Sequence, residues 1–277
     1  MTPADIETAA RQLFDAERTG QQCDLLSLAY PTMTLDDAYA VQAAFVDLKR
    51  ATGLIQVGWK IGLTSRAMQM ALGITTPDSG VLLSDMVFEP GSCVPAGRFI
   101  EPRIEAEIAF IMAHDLAGAD VDRDAVIAAT DCVVPALEIL DTRIKRTDPS
   151  TGKARVIFDT ISDNAANAGV VLGAARHGVD AFDLRRVGAI VKRNGIVEET
   201  GMGAGVLDDP VLGIVWLVQR LSLYGGGLRA GDLVLSGSFI RPLEAPPGSR
   251  FEADFGSFGS VALGFEEGFE EGAKKRA

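Results

Sequence analysis

Pro102-Arg103-Ile104-Glu105-Ala106-Glu107-Ile108-Ala109-Phe110 reads as a single β-strand, and its polarity decides how that strand must lie. Side chains alternate faces along a strand, so Ile104, Ala106 and Ile108 point one way and Glu105 and Glu107 the other. Two carboxylates about 7 Å apart on one face repel each other unless water or a cation intervenes. A solvated strand face would satisfy them, but Ala109 and Ile111 continue the same face, which is therefore not simply wet. A third acid, Glu138, stands inside the apolar run Val133–Leu140, where an unpaired charge is costly. Three carboxylates with no histidine or thiolate among them suit a hard cation, Mg²⁺ or Mn²⁺.

Outward from this strand the pattern is mixed. Thr2 and Asp5 form a capping pattern with Pro3 at the first helical position, and Ile6, Ala9, Ala10, Leu13 and Phe14 make one apolar face. A second helix is capped by Thr34, carries Asp36 and Asp37 in its first turn and stops at Gly53. Strands are expected at Ile104–Ala113, Ala189–Lys192, Ile196–Glu199, Asp232–Leu235, Arg250–Phe255 and Ser260–Phe265. Asn194-Gly195 marks a type I′ hairpin turn. Helices interrupt near Asp122–Ala129 and Pro210–Leu223, the latter capped by Asp209. Helices first and mixed strands afterwards predict an α+β fold with a curled sheet, not a doubly wound parallel one. The expected organisation is a helical part over 1–53, a catalytic domain over 54–267 and a tail over 268–277.

Composition narrows the chemistry. The 277 residues carry 26 basic and 38 acidic side chains, and a net charge of −12 argues against nucleic acid and anionic membrane as partners. The two histidines, His114 and His177, are too few and too far apart in sequence for a poly-histidine metal site. Cys23, Cys93 and Cys132 form no C-x-x-C pair, which fits a reducing compartment. The N-terminal MTPADIETAA lacks an apolar signal core, and the apolar run Val126–Leu140 is broken by polar residues and too short for a bilayer. A cytoplasmic protein is expected.

Four further segments offer polar groups. Lys60, in Gly58-Trp59-Lys60-Ile61-Gly62, is a snorkelling surface lysine or a desolvated ammonium that orients a carboxylate or trades protons. Asp78, in Thr76-Pro77-Asp78-Ser79-Gly80, has the composition of a turn. Ser162 and Asn164 lie in Asp159–Gly169, compatible with a loop and helix cap and equally with a pocket wall. Ser238 and Arg241 follow a strand end, where a loop can present them to an anion.

Taken together, the segments KIGLTS (60–65), PRIEAEIAF (102–110), PALEILD (135–141), DTISDNAANAG (159–169), RNG-x-x-EETG (193–201) and GSFIRP (237–242) resemble the fumarylacetoacetate-hydrolase superfamily. The likeness is to its branch of 2-hydroxydienoate hydratases and 4-oxalocrotonate decarboxylases, and it runs from about Ser27 to Phe265. It implies a small N-terminal helical part on a twisted mixed β-sheet rolled around a metal site. It implies Mg²⁺, or Mn²⁺, on Glu105, Glu107 and Glu138, with Lys60 and Asp78 catalytic and Ser162, Asn164 and Ser238 as pocket polar groups. The implied activity is hydration of 2-hydroxyhepta-2,4-diene-1,7-dioate to 4-hydroxy-2-oxoheptanedioate by a homo-oligomer. Its alternatives are hydration of 2-hydroxypenta-2,4-dienoate, decarboxylation of 4-oxalocrotonate, or a non-catalytic subunit supporting a partner enzyme. A dicarboxylate needs a distal cation, for which Arg241 is expected, with Arg66 behind it. The chain departs from its relatives at Trp59, where a histidine often precedes the lysine. Neither histidine lies in the motif that serves C–C hydrolysis in the superfamily, which favours hydration.

Overall fold

The protein is described by a computed structural model over residues 1–66, 69–70 and 74–268. Its chain begins with α1 (Pro3–Thr19), α2 (Leu26–Ala29) and α3 (Leu35–Arg50). Reciprocal capping boxes Thr2–Asp5 and Thr34–Asp37 start α1 and α3, each satisfying backbone N–H groups that a helix leaves orphaned. Gly20, at φ +69°, closes α1 in the left-handed conformation that glycine adopts without penalty. Ala9, Ala10 and Leu13 of α1 pack with Ala38, Val41 and Phe45 of α3, and this cluster extends to Ile144 and Ile161 of the later chain.

The strands up to the central pair are β1 (Gln56–Gly62), β2 (Asp78–Leu83), β3 (Val87–Phe88), β4 (Cys93–Val94), β5 (Arg103–Met112) and β6 (Thr130–Leu140). The rest are β7 (Asn167–Leu172), β8 (Gly188–Arg193), β9 (Ile196–Met202), β10 (Leu233–Ser238), β11 (Leu243–Glu244), β12 (Arg250–Asp254) and β13 (Ser260–Phe265). Between them lie α4 (Arg123–Ala129), α5 (Ile157–Ser162) and α6 (Pro210–Ser222). One sheet runs β2-β1-β10-β5-β6-β7-β3 with β11 beside β5; the other runs β4-β13-β12-β8-β9. The first is mixed, because β1–β10 and β3–β7 are parallel while its other pairs are antiparallel.

The predicted alternation of β5 settles its two faces. Ile104, Ala106, Ile108 and Phe110 join Val191, Phe251 and Leu263 in the core between the sheets. Ala109 joins Val134, Ala136, Val170 and Leu235 in a second cluster on the opposite side. Glu105 and Glu107 therefore project on a face that is apolar further along. The α+β class and curled mixed sheets are as expected, and so is the Asn194-Gly195 turn, with φ +52° and +80°.

Of the strands that have no counterpart in the sequence reading, β1 and β2 carry candidate site residues. Lys60 lies in β1, and Asp78 opens β2 instead of sitting in a turn. Every residue of β2 is buried, and a strand covered on both faces has no hydrophobic alternation to betray it. The expected tail lies, beyond Gly268, outside the described residues. No helix among the described residues is long and apolar enough to cross a membrane.

A buried ion pair ties the chain after β6 to the turn after α5. The Arg143 guanidinium bonds the Asp163 carboxylate and carbonyl and also reaches the carbonyl of Asn167 at 3.1 Å. Both side chains are almost wholly enclosed. Removing Asp163 leaves the buried guanidinium only the more distant Glu17 carboxylate, at 3.8 Å, so Asp163→Ala should lose about 3–5 kcal/mol of unfolding free energy. Urea titration measures this; a loss below 1 kcal/mol would contradict the assignment.

Candidate active site

The central strands gather one acidic recess. Glu105 of β5 stands directly opposite Glu138 of β6, and Glu107 opposite Ala136 on β6 and Ser238 on β10. Carboxylate oxygens of Glu105, Glu107 and Glu138 all lie within 4.8 Å of one another. Glu107 and Glu138 are fully buried, while Glu105 is partly open. Lys60 arrives from β1, beside β10, with its ammonium 3.6 Å from Glu138 Oε1. Asp78 pairs in register with Gly62 two residues beyond Lys60. A Cβ on Gly62 would collide with Asp78 and Lys60, so glycine is what lets the two charged groups meet.

Few hydrogen bonds satisfy these carboxylates. Gly237 donates its N–H to Glu107 Oε2 at 2.8 Å, from a backbone at φ +117°. Glu107 Oε1, both oxygens of Glu138 and Asp78 Oδ1 have no hydrogen-bond partner among the described residues. Burial first, and the neighbouring acids second, push the Glu105 and Glu107 carboxyls up to about 8. Burial likewise lifts Glu138 well above the carboxylate range, with Lys60 opposing the rise. Asp78 is raised by burial and partly held down by Lys60. For Lys60 itself burial is outweighed by Glu138, Asp78, Glu105 and Glu107, so its ammonium is held more firmly than usual.

This donor set fits a divalent cation: three convergent carboxylates, orphaned oxygens and one side open for a ligand. Buried oxygens without partners are expensive, and a cation bound to them removes the penalty.

The chain is 49% identical over 256 residues to 2-oxo-hept-4-ene-1,7-dioate hydratase of Escherichia coli, covering 92% of this chain and 96% of that protein. It superposes with TM-score 0.90 and 30% identity on 4-oxalocrotonate decarboxylase from Pseudomonas putida G7, complexed with magnesium and adipate, over 96% and 98% of the two chains. The fold alone is shared, at TM-score 0.57 and 13% identity, with fumarylpyruvate hydrolase from Pseudomonas aeruginosa in complex with Mn²⁺ and pyruvate, over 76% of this chain and 88% of the other. No family model matches the chain. The chain belongs to the family of 2-oxo-hept-4-ene-1,7-dioate hydratase and 4-oxalocrotonate decarboxylase. The family likeness covers both the helical part and the sheets.

Within this family member the other expected site residues have distinct fates. Ser162 is buried and its hydroxyl has no partner among the described residues, as is true of Ser236. Asn164 spends both ends of its amide on Val81 of β2, accepting from the N–H at 2.7 Å and donating to the C=O at 2.9 Å. Ser238 closes a local turn with Ile240. Arg241 is not gathered with the acids: it is 68% exposed and its Nε lies 2.5 Å from Glu199. Arg66 is exposed. Trp59 is partly buried and its indole N–H has no partner among the described residues, and His177 bonds the Phe258 carbonyl among aromatic rings.

Sequence reading missed the residues that hold β2. Gln42 of α3 donates to the carbonyls of Ser79 and Ile161 at 2.9 and 2.8 Å, and Tyr39 accepts from the Ser79 N–H at 3.3 Å. A glutamine on the apolar Ala38-Val41-Phe45 face was the available signal. Asn164, Ala165 and Ala166 are consecutive non-glycine residues at φ +53°, +52° and +59°, a conformation costing roughly 1–2 kcal/mol per residue. The Arg143–Asp163 pair at the head of this turn helps hold it.

The raised carboxyls set a pH dependence. Between the ordinary glutamate value of 4.5 and about 8, the cation-free fold binds more protons than the unfolded chain. Its stability therefore falls as pH rises through that window and levels off above it. A cation needs the ionised carboxylates, so millimolar Mg²⁺ should raise the melting temperature more at pH 8 than at pH 6. Glu107→Gln should remove most of that gain. A gain independent of pH, or one that survives the substitution, would count against the site.

Proposed function

We propose that the protein is a Mg²⁺-dependent hydro-lyase, Mn²⁺ substituting, that adds water to 2-hydroxyhepta-2,4-diene-1,7-dioate to give 4-hydroxy-2-oxoheptanedioate in the catabolism of an aromatic ring-cleavage product. The observation that carries this reading is 49% identity along nearly the whole chain to a hydratase of that substrate class. The three orphaned carboxylates beside a buried lysine support it.

Glu105, Glu107 and Glu138 would hold the cation, which when bound supplies Lewis-acid polarisation of the 2-oxo acid. The overall change takes the proton from the 2-hydroxyl and places one at C5, leaving the 2-oxo-3-ene, and then adds one water across C3=C4, hydroxyl at C4 and proton at C3. Asp78, whose raised carboxyl keeps a proton further up the pH scale, is assigned to those transfers. Lys60 stays charged and serves to hold the developing negative charge at the substrate's oxygen end. Ser162 offers a donor to the same end, whereas Asn164 and Ser238 shape the pocket through Val81 and Ile240. Without a histidine in the recess, proton transfer rests on carboxylate, ammonium and water.

A homo-oligomer accompanies this reading, supported by the exposed apolar side chains Ile190, Ile196, Val197 and Met202 on the β8–β9 hairpin. Decarboxylation is the second reading, favoured by the 0.90 TM-score to the decarboxylase. The purified protein with Mg²⁺ should bleach the ultraviolet absorbance of the diacid dienol without releasing CO₂; stoichiometric CO₂ would sink hydration in favour of decarboxylation. No turnover by the chain alone, restored only with a partner enzyme, would support a non-catalytic subunit. Lys60→Met should lower kcat by about 10²–10³, measured beside the unaltered protein at saturating Mg²⁺.

A further inference from the structure

A dicarboxylate substrate brings a second negative charge into a chain that is itself acidic, and the side chain expected to meet it, Arg241, is engaged with Glu199 at the surface. Another arginine is placed differently. After β6 the chain folds back on itself: Arg155 N donates to the Arg146 carbonyl at 2.9 Å, Thr147 bridges Ala154, and Asp148 N donates to Lys153 O at 2.8 Å. This puts Arg146 and Arg155 abreast. Arg155 is half-buried and its Nη1 donates to Thr142 Oγ1 at 2.9 Å. Among the described residues it has no carboxylate partner within ion-pair distance, whereas Arg146 pairs with Glu101 at 3.0 Å and Arg103 with Glu244 at 3.3 Å.

The cluster adjoins the acidic recess. Arg103 shares the β5 face of Glu105, two residues away, and stands opposite Leu140, two residues before Thr142. Same-face strand neighbours are about 7 Å apart, roughly the span between the two carboxylates of an extended seven-carbon diacid. The charges are felt on both sides: Arg155 draws the Asp78 carboxyl down and Arg103 that of Glu105, against larger opposing effects of burial. Arg155 itself is pulled down by burial, with Asp163 opposing and Arg146 and Arg103 repelling it.

We propose that Arg155, flanked by Arg146 and Arg103, receives the second carboxylate of a dicarboxylate substrate whose reacting end lies at Glu105, Glu107, Glu138 and Lys60, and so makes the site select diacids. This rests on the hydratase reading. A guanidinium with free donors in a partly dry site is suited to bidentate binding of carboxylate, and the anion relieves the repulsion among the three arginines.

The test compares kcat/KM for a diacid and a monoacid 2-hydroxydienoate. Arg155→Gln should lower the diacid-to-monoacid ratio about 10- to 100-fold, mainly through KM, and Arg155→Lys should recover part of it. Equal loss on both substrates, or a ratio collapsed by Arg241→Ala and not by Arg155→Gln, overturns the inference. Heptanedioate should also shield Arg155 from phenylglyoxal in the unaltered protein, read by mass spectrometry, whether or not any variant folds. Shielding of Arg241 alone overturns it as well. Because shielding needs no turnover, failure of the hydratase reading, seen as no reaction with either dienol, is told apart from failure of the arginine site.

Discussion

Glu105, Glu107 and Glu138 bring oxygens within 4.8 Å of one another in a recess where Glu107 Oε1 and both Glu138 oxygens accept no hydrogen bond from the described residues. Such a cluster opposes folding: burial disfavours each charge, and every charge disfavours the next. The fold answers with one cation of its own, Lys60, and with one backbone donor, Gly237. A single ammonium against three carboxylates and Asp78 leaves a deficit of positive charge. A divalent ion would fill it with the geometry that oxygen ligands allow. The central register of the first sheet follows from this need. Glu105 must face Glu138 across β5–β6, and β10 must bring Gly237 to Glu107.

Around that recess, stability and function are shared among distant parts of the chain. The N-terminal helices contribute no ligand, yet Gln42 and Tyr39 fasten the backbone of β2 at Ser79, next to Asp78. From the other side Asn164 clamps Val81, projecting from a left-handed turn headed by the enclosed Arg143–Asp163 pair. Asp78 is therefore positioned by two opposed supports drawn from residues well over a hundred positions apart. Buried polar groups that are bonded, such as the amides of Gln42 and Asn164, rigidify the support around Asp78.

The net charge of −12 acquires local structure in this arrangement. Globally it repels a dianionic substrate, but such repulsion between exposed charges is screened within about 10 Å. Attraction at short range falls to the cation site, to Lys60 and to the arginines gathered after β6. The scarcity of histidine narrows proton transfer to carboxylates, ammonium and water.

The capping boxes of α1 and α3, the alternation of β5, the Asn194-Gly195 turn and the acidic trio were legible from residue order, because each depends on neighbours within a few positions or on a lone charge in an apolar run. Glu138 joining Glu105 and Glu107 was inferred from the cost of burying it unpaired. The strand identity of Asp78 was not legible, since β2 is covered on both faces and shows no period. Nor was the fate of Arg241, which depends on Glu199 standing 2.5 Å away, or the lack of an ion-pair partner for Arg155 among the described residues. Sequence by itself determined which groups must find partners. Only the tertiary structure decided which partners they found, because pairing across sheets and helices is set by register and packing that no local window contains.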